Sequence, residues 1–278
     1  MSALSDSPYA AWIGRSEHTT EHLSSGLVKR IAATLGDVAP EPGQPLPALW
    51  HWAFFQPAVE ETGLGLDGHP AHNDLLPPTH NRNRMWAGGR VEFYEALRVD
   101  AQATRTTTVM NIEEKSGRSG SLLFATLRHD YTQDGQLAIR EEQDIVYRDP
   151  TPPRLASGEA LPLAGWQESI TPSPTLLFRY SAVTFNGHRI HYDWPYVTQA
   201  EGYPGLVVQG PLIATLNLHA FRRAHPQARI RRFDYRGIRP LISPQPFMVG
   251  GRLYAPGRAE LWAGDDGGIA QRAELIFD

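Results

Sequence analysis

The sequence predicts an α+β fold in which one helix followed by an antiparallel sheet occurs twice. Three observations predict this fold. The chain has 278 residues, enough for two domains of roughly 130 residues each. Each half contains one helix-like segment followed by four or five strand-like segments. A proline-rich stretch separates the halves, so we expect two units of similar architecture.

The expected boundary between the units lies at residues 149–158. This stretch concentrates proline and small polar residues, which continue neither a helix nor a strand ladder. We therefore predict an N-terminal unit over residues 1–150 and a C-terminal unit over residues 158–278.

The first half opens with a predicted helix over residues 18–36. Its apolar residues Leu23, Leu27, Ile31 and Leu35 repeat every four positions, with Thr19 or Thr20 as the N-cap and Gly36 as the terminator. Four strands are then expected to form an antiparallel meander, because β-branched and aromatic residues alternate with turn residues. The expected strands are Trp86–Arg98, Ala103–Glu114, Ser121–Gln133 and Ala138–Arg148, with turns at residues 117–120 and 134–135.

The second half repeats the order. A short strand is expected at Thr175–Tyr180, and apolar spacing predicts a helix over Gly210–His225. The expected later strands are Arg229–Leu241, Phe247–Tyr254, Arg258–Trp262 and Ile269–Phe277. A curved antiparallel sheet that wraps one long helix is the hotdog arrangement, so the sequence predicts a double hotdog fold. No strict sequence repeat accompanies this order.

Composition excludes several kinds of function. The absence of cysteine excludes disulfides, thiolate nucleophiles and cysteine metal sites, and a net charge of −4 gives no overall attraction for nucleic acid. No apolar run approaches the length of about 20 residues that spans a bilayer, and the first residues do not form a secretory signal. We expect a cytoplasmic protein with neither membrane nor nucleic-acid partners.

The chemistry-bearing residues concentrate in two neighbouring stretches, residues 178–193 and 203–212. The first is a predicted strand that leads into a polar bend with Asn186, His188, His191 and Asp193, and the second is an apolar run that ends at Gly210. A glycine that opens a helix lets a carbonyl approach closely, and the helix N-terminus favours developing negative charge. The structural alternative is a hydrogen-bonded turn followed by an ordinary helix start.

These stretches resemble the signature of the MaoC-type hydratases and dehydratases, in which a His follows an acidic residue by five positions and a glycine opens the hotdog helix. Asn186 and His191 have this spacing, and Gly210 takes the place of the glycine. The amino-acid sequences of three segments, residues 185–193, 201–212 and 77–89, resemble one branch of this family more closely than the others. That branch includes mesaconyl-C4-CoA and itaconyl-CoA hydratases and mitochondrial-type 3-hydroxyacyl-thioester dehydratases. This resemblance covers nearly the whole chain and implies an acyl-CoA substrate and a homodimer or larger homo-oligomer.

The chain departs from the wider family at Asn186, where the family has an aspartate. An amide cannot act as a general base. The resemblance then implies that His191 alone transfers the proton, that Asn186 orients the water, and that the Gly210 N–H polarises the thioester carbonyl. Asp193 is the alternative carboxylate.

Arginines and aromatic residues provide candidate substrate contacts. Guanidinium groups suit carboxylates and phosphates. The candidates are Arg82, Arg84, Arg90 and Arg189, with Trp86 as part of an acyl pocket; ordinary ion pairs and an aromatic core are the structural alternatives. His69 and His72 straddle Pro70, which rules out a helical pair of metal ligands, and no phosphate-binding glycine loop is present, so we expect no metal and no cofactor.

The sequence therefore predicts an acyl-CoA hydratase, a hydro-lyase that adds water to a short, dicarboxylic 2-enoyl-CoA. Catalysis is expected in the C-terminal unit, and the N-terminal unit is expected to bind substrate without supplying acid or base groups. Two alternatives stay open: a dehydratase of fatty-acid synthesis acting on long acyl chains, and a non-catalytic acyl-thioester binding protein.

Overall fold

The computed structural model describes residues 8–79, 82–117 and 120–278, and in it ten strands form one antiparallel sheet. The strand order is β1-β3-β4-β5-β2-β7-β10-β9-β8-β6. The strands are β1 Ser16–His22, β2 Asn83–Phe93, β3 Gln102–Gly117, β4 Gly120–Gln133, β5 Gln136–Arg148, β6 Trp166–Ile170, β7 Ile230–Gly237, β8 Phe247–Ala255, β9 Arg258–Asp265 and β10 Gly268–Phe277. The helices are α1 Ser25–Leu35, α2 Pro174–Val183, α3 Trp194–Gln199 and α4 Gly210–Ala224.

The sheet has two halves that meet where β2 pairs with β7. Strands from before residue 150 form one half and strands from after it form the other, with Gly88 opposite Arg236 and Val91 opposite Phe233 at the junction. The intervening residues 151–165 contain neither helix nor strand. The expected four-strand meander is wrong in one respect, because β2 pairs with β5 and β7 and not with β3.

The core joins both halves around α4. This helix is buried from Leu212 to Phe221. Its Ala214, Leu218 and Phe221 pack in one cluster with Leu23, Trp50 and other N-terminal residues, while its Leu212 and Leu216 pack in a second cluster with C-terminal strands. The predicted helix over residues 210–225 is therefore correct and central.

Two sequence predictions of element type are wrong. Residues 18–22 belong to edge strand β1, which pairs with β3, and the helix begins later, with Ser24 as its N-cap; Gly36 ends it as predicted, in the left-handed conformation. Residues 175–180 form part of α2 and not a strand, because Ser173 caps a helix there and Pro174 opens it. The predicted turn at Arg118 and Ser119 lies outside the described residues, as do His80 and Asn81.

Candidate active site

A short polar bend connects α2 to α3 and carries the predicted catalytic residues. Phe185 adopts a positive φ of 48°, and the Asn186 backbone N–H donates to Ser181 O at 2.8 Å. The Asn186 Oδ1 then accepts the His188 backbone N–H at 3.0 Å. The side chain of Asn186 therefore shapes the bend that presents His188 and His191.

His191 is held as a neutral imidazole of defined tautomer. It ends a short 3-10 helix over Arg189–His191, is 7% exposed, and its Nδ1 lies 2.7 Å from Val207 O. Because a carbonyl can only accept, Nδ1 carries the proton and Nε2 keeps its lone pair. Burial lowers the pKa of His191 to about 4, and the Val207 carbonyl opposes this shift only in part. At neutral pH His191 is thus a ready proton acceptor.

Gly210 opens α4, and the space beside it is open. A Cβ built on Gly210 would meet no other atom within 4 Å. The first N–H groups of a helix have no intrahelical acceptor and can stabilise a developing oxyanion. The buried Gln209 fixes this helix start, since its Nε2 donates to Leu177 O at 2.9 Å and to Ser181 Oγ at 3.0 Å. One polar network therefore ties α2, which leads into the bend, to the start of α4.

The side chain of Asp193 has a structural role in the bend. Its Oδ1 accepts the Tyr196 N–H at 3.1 Å as the N-cap of α3, and its Oδ2 pairs with Arg189 at 2.7 Å. These contacts lower the pKa of Asp193, with the backbone bond as the largest cause. Both carboxylate oxygens are engaged within the bend, so the geometry does not bring Asp193 to His191.

The predicted arginines divide into two groups. Arg82 pairs with Glu114 at 2.7 Å, and Arg90 pairs with Asp144 at 2.7 Å and Glu142 at 2.9 Å. Arg90 also lines a groove of about 570 Å³ across the β2–β7 junction that includes no residue of the bend. The structure does not bring these two arginines to His191.

Arg84 and Arg189 lie at the bend. Burial is the main cause that lowers the pKa of His69 and His188, and the positive charge of Arg84 lowers both further. No ion pair engages Arg84 among the described residues. Arg189 pairs with Asp193, donates to Leu66 O at 2.9 Å and stacks on the Tyr196 ring at 4.1 Å. Trp86 packs against Trp52 at 4.9 Å and Tyr235 at 5.8 Å, in an aromatic cluster of the core.

A loop from the N-terminal half closes over the bend. The Arg189 N–H donates to Asp67 O at 2.8 Å, and Gly68 lies so close to Gly187 that an added Cβ would sit 2.0 Å from the Gly187 oxygen. His69 of this loop packs on His188 with ring centroids 4.3 Å apart. The sequence predicts no role for His69 beyond the metal pair that Pro70 rules out, because its position over the bend depends on the tertiary contact between Gly68 and Gly187.

Asp67, His69 and His188 form a compact polar set. One donor atom from each lies within 4.8 Å of the others. A carboxylate with two imidazoles has the composition of a metal site, but the nearby positive charge of Arg84 opposes binding of a dication.

Comparison with known proteins identifies the family. The sequence profile of the family described as hydroxyacyl-thioester dehydratase type 2 matches residues 49–243. The chain belongs to the hydroxyacyl-thioester dehydratase type 2 family. Like its relatives, which are named hydratases and dehydratases, it is a hydro-lyase.

Two named enzymes have sequences similar to that of this chain. Mesaconyl-C(4)-CoA hydratase of Chloroflexus aurantiacus is 42% identical over 98% of this chain and 99% of its own length. The mitochondrial hydroxyacyl-thioester dehydratase type 2 of Schizosaccharomyces pombe is 28% identical over 72% of this chain and 75% of its own length.

Solved structures confirm the double hotdog fold. HtdX of Mycobacterium tuberculosis matches with a TM-score of 0.69 at 17% identity over 94% of this chain and 99% of its own. A double hotdog protein of the same organism matches with a TM-score of 0.60 at 14% identity, over 96% of both chains. Among the described residues, no helix has the length and apolarity needed to cross a bilayer.

Proposed function

We propose that the chain reversibly adds water to the double bond of a short 2-enoyl-CoA that carries a free carboxylate, with mesaconyl-C4-CoA and itaconyl-CoA as the candidate substrates. The observation that carries this proposal is the buried, neutral His191, whose contact with Val207, three residues before Gly210, leaves Nε2 as a proton acceptor. The 42% identity to a protein named mesaconyl-C(4)-CoA hydratase supports the substrate class.

The proposed chemistry uses three predicted residues. His191 Nε2 accepts a proton from water as the water oxygen bonds to the β-carbon, and Asn186 helps to orient that water. The Gly210 N–H donates to the thioester oxygen, which becomes an enolate oxygen as the double bond is attacked. Protonation of the α-carbon completes the addition, and the reverse sequence is dehydration.

Arg84 is the proposed partner of the substrate carboxylate. It is partly buried on β2, acts electrostatically on the bend and has no ion pair within the described part of the chain, whereas Arg90 on the same strand is already paired with two carboxylates. A bidentate guanidinium suits a free carboxylate. The other arginines predicted to bind substrate form ion pairs within the protein; they are Arg82, Arg90 and Arg189.

Hydration of a panel of enoyl-CoAs tests the proposal. Loss of the conjugated thioester absorbance with mesaconyl-C4-CoA, or formation of the hydrated acyl-CoA from itaconyl-CoA measured by mass spectrometry, is expected, and His191→Ala should lower kcat by about 10²–10⁴-fold. Arg84→Ala should raise KM for these substrates much more than for crotonyl-CoA, while Arg90→Ala serves as the control on the same strand. No turnover of mesaconyl-, itaconyl- or crotonyl-CoA by folded protein would refute the function and favour a binding protein.

A second candidate is a 3-hydroxyacyl-thioester dehydratase of fatty-acid synthesis, favoured by the matched family and by the yeast relative. Comparing turnover of octenoyl and mesaconyl thioesters separates the two, because a free carboxylate and a long apolar tail require opposite pocket chemistry. A cytoplasmic location and a homodimer or larger assembly stay predictions from the sequence, and light scattering of the purified protein tests the latter.

A further inference from the structure

Three imidazoles lie in a row across the boundary between the two halves of the molecule. His188 contacts His191 edge to face, with ring centroids 5.3 Å apart, and also contacts His69, with ring centroids 4.3 Å apart. His69 is supplied by the N-terminal loop, while His188 and His191 belong to the bend. The row therefore connects the proposed base to a group from the opposite half.

Only His69 in this row has a carboxylate partner among the described residues. Its Nδ1 lies 2.9 Å from Asp67 Oδ2, and the Asp67 Oδ1 also accepts the His69 backbone N–H at 3.0 Å. Because the carboxylate can only accept, Nδ1 carries the proton and Nε2 is left to exchange protons. Burial lowers the pKa of His69, and the bond to the Asp67 carboxylate opposes this shift. An imidazolium is therefore better compensated at His69 than at His191, whose ring contacts a backbone carbonyl and His188.

Contacts with the bend hold the loop that carries Asp67 and His69 in place. The Arg189 N–H donates to Asp67 O, the Arg189 guanidinium donates to Leu66 O, and the glycines Gly68 and Gly187 permit the close backbone approach. These contacts fix the three residues that precede His69, so the position of His69 relative to the bend is determined by contacts to the backbone of its own loop. The side chain itself is 20% exposed, which leaves a route for exchange with solvent.

We propose that His69 is a second catalytic residue, the acid that protonates the α-carbon, and that Asp67 positions it and stabilises its imidazolium. The proposal rests on the proposed hydratase function and divides its two proton transfers between the halves of the molecule.

In the proposed reaction, His191 accepts one proton and His69 donates another. Water gives its proton to His191 Nε2 and its oxygen to the β-carbon, and the electron pair of the double bond moves to the thioester as the enolate. The His69 imidazolium gives its Nε2 proton to the α-carbon, so that H and OH have been added. The proton left on His191 is released to solvent when the product leaves, and solvent returns a proton to His69, so that both groups begin the next cycle in their starting states.

His69→Gln tests the acid, because glutamine keeps polar groups but cannot titrate. We expect a kcat loss of about 10²–10⁴-fold with KM for mesaconyl-C4-CoA changed less than about threefold. His72→Gln, an exposed position on the same loop, is the matched control and should behave as wild type. If His69→Gln is unstable, added imidazole should restore part of the activity of His69→Ala, a rescue that a structural role would not give.

Asp67→Asn tests the positioning residue through the pH profile of kcat/KM. The groups that act on His69 are Asp67, Arg84, Glu201, His188 and His191, and removing the Asp67 charge leaves the imidazolium without its nearest compensation. The alkaline limb, on which the acid loses its proton, should therefore move to lower pH in Asp67→Asn.

The outcomes separate this inference from the function itself. Inactive wild-type protein would refute the function. Active wild type with full kcat in His69→Gln, or an unchanged alkaline limb in Asp67→Asn, would overturn only the role of His69. Stoichiometric Zn²⁺ in the purified protein, with activity lost on chelation and restored by Zn²⁺, would assign the three side chains to a metal and also overturn it.

Discussion

Gly210 is the residue at which the proposed mechanism depends most directly on open space. Its backbone does not require glycine, since its φ is not in the left-handed range, and a Cβ there would meet no protein atom within 4 Å. Gly210→Ala should therefore fold with an unchanged or higher Tm, because alanine is the better helix former.

The same substitution should lower kcat/KM for an enoyl-CoA by about tenfold or more, since a methyl group would stand where the thioester oxygen meets the helix N-terminus. Thermal denaturation and steady-state kinetics measure the two effects. Wild-type kcat/KM in this variant would show that the substrate carbonyl lies elsewhere.

The depressed pKa of His191 gives a pH prediction. Burial lowers it from 6.5 to about 4, so the imidazole stays neutral and able to accept a proton until the pH falls close to that value. The acid limb of kcat/KM for hydration should accordingly lie near pH 4 rather than near 6.5. An acid limb at the ordinary histidine value, measured between pH 3.5 and 8 on protein that remains folded, would contradict this environment.

The bend between α2 and α3 is an element shaped mostly by side-chain contacts to its own backbone. Asn186 bonds to the His188 N–H, Asp193 caps α3, and Tyr192 donates to Gly187 O at 2.9 Å. Such local bonds explain why polar residues of this type crowd the segment. These bonds distinguish the residues that stabilise the bend, such as Asp193, from the proposed catalytic residue His191, which the bend holds in position.

The structural role of Asp193 predicts that Asp193→Asn has little effect on catalysis. Asparagine is also a good N-cap, so the helix start should be kept while the solvent-screened ion pair with Arg189 is lost at little cost in stability. We expect kcat within about twofold of wild type, because the carboxylate does no proton transfer. A loss approaching that of His191→Ala, measured side by side, would instead return the catalytic role to Asp193.

Prediction from the sequence succeeded for elements with regularly spaced apolar residues and failed where that spacing was missing. β4, β5 and α4 bury alternating or helical apolar residues and were found close to their true bounds. The edge strand β1 is largely exposed, so no alternation marks it, and its pairing with β3 depends on the tertiary structure. In α2, the β-typical Phe178 and Tyr180 outweighed the Ser173-Pro174 helix start.

At the scale of the whole molecule, the candidate site could be only half predicted. His191, Gly210 and Asn186 follow from local spacing and resemblance, and their catalytic roles stay predictions; the substitutions of His191 and Gly210 described above test two of them. Asp67 and His69 lie more than a hundred residues earlier, and the contact of Gly68 with Gly187 that brings them to the bend leaves no local pattern. The pairing of β2 with β7 is equally non-local.

The shared core leads to a prediction about folding. Trp50 donates through Nε1 to His219 of α4 at 3.1 Å, and Leu23 and Phe54 belong to the same apolar cluster as Leu218 and Phe221. A C-terminal fragment of residues 158–278 would expose this side of α4 and the free edge of β7. We therefore expect the predicted units not to fold independently, even though no helix or strand spans the connection between them.

Chemical denaturation of three samples measures this. The intact chain should unfold in one cooperative transition, and residues 158–278 alone should aggregate or lack near-UV circular dichroism. Co-expressed fragments 1–152 and 153–278 form the control, because the cut falls where no helix or strand is interrupted, and they should assemble into a soluble complex. A C-terminal fragment that unfolds cooperatively at the denaturant midpoint of the intact chain would show that α4 does not need the N-terminal half, since burial of its shared side would then add nothing to stability.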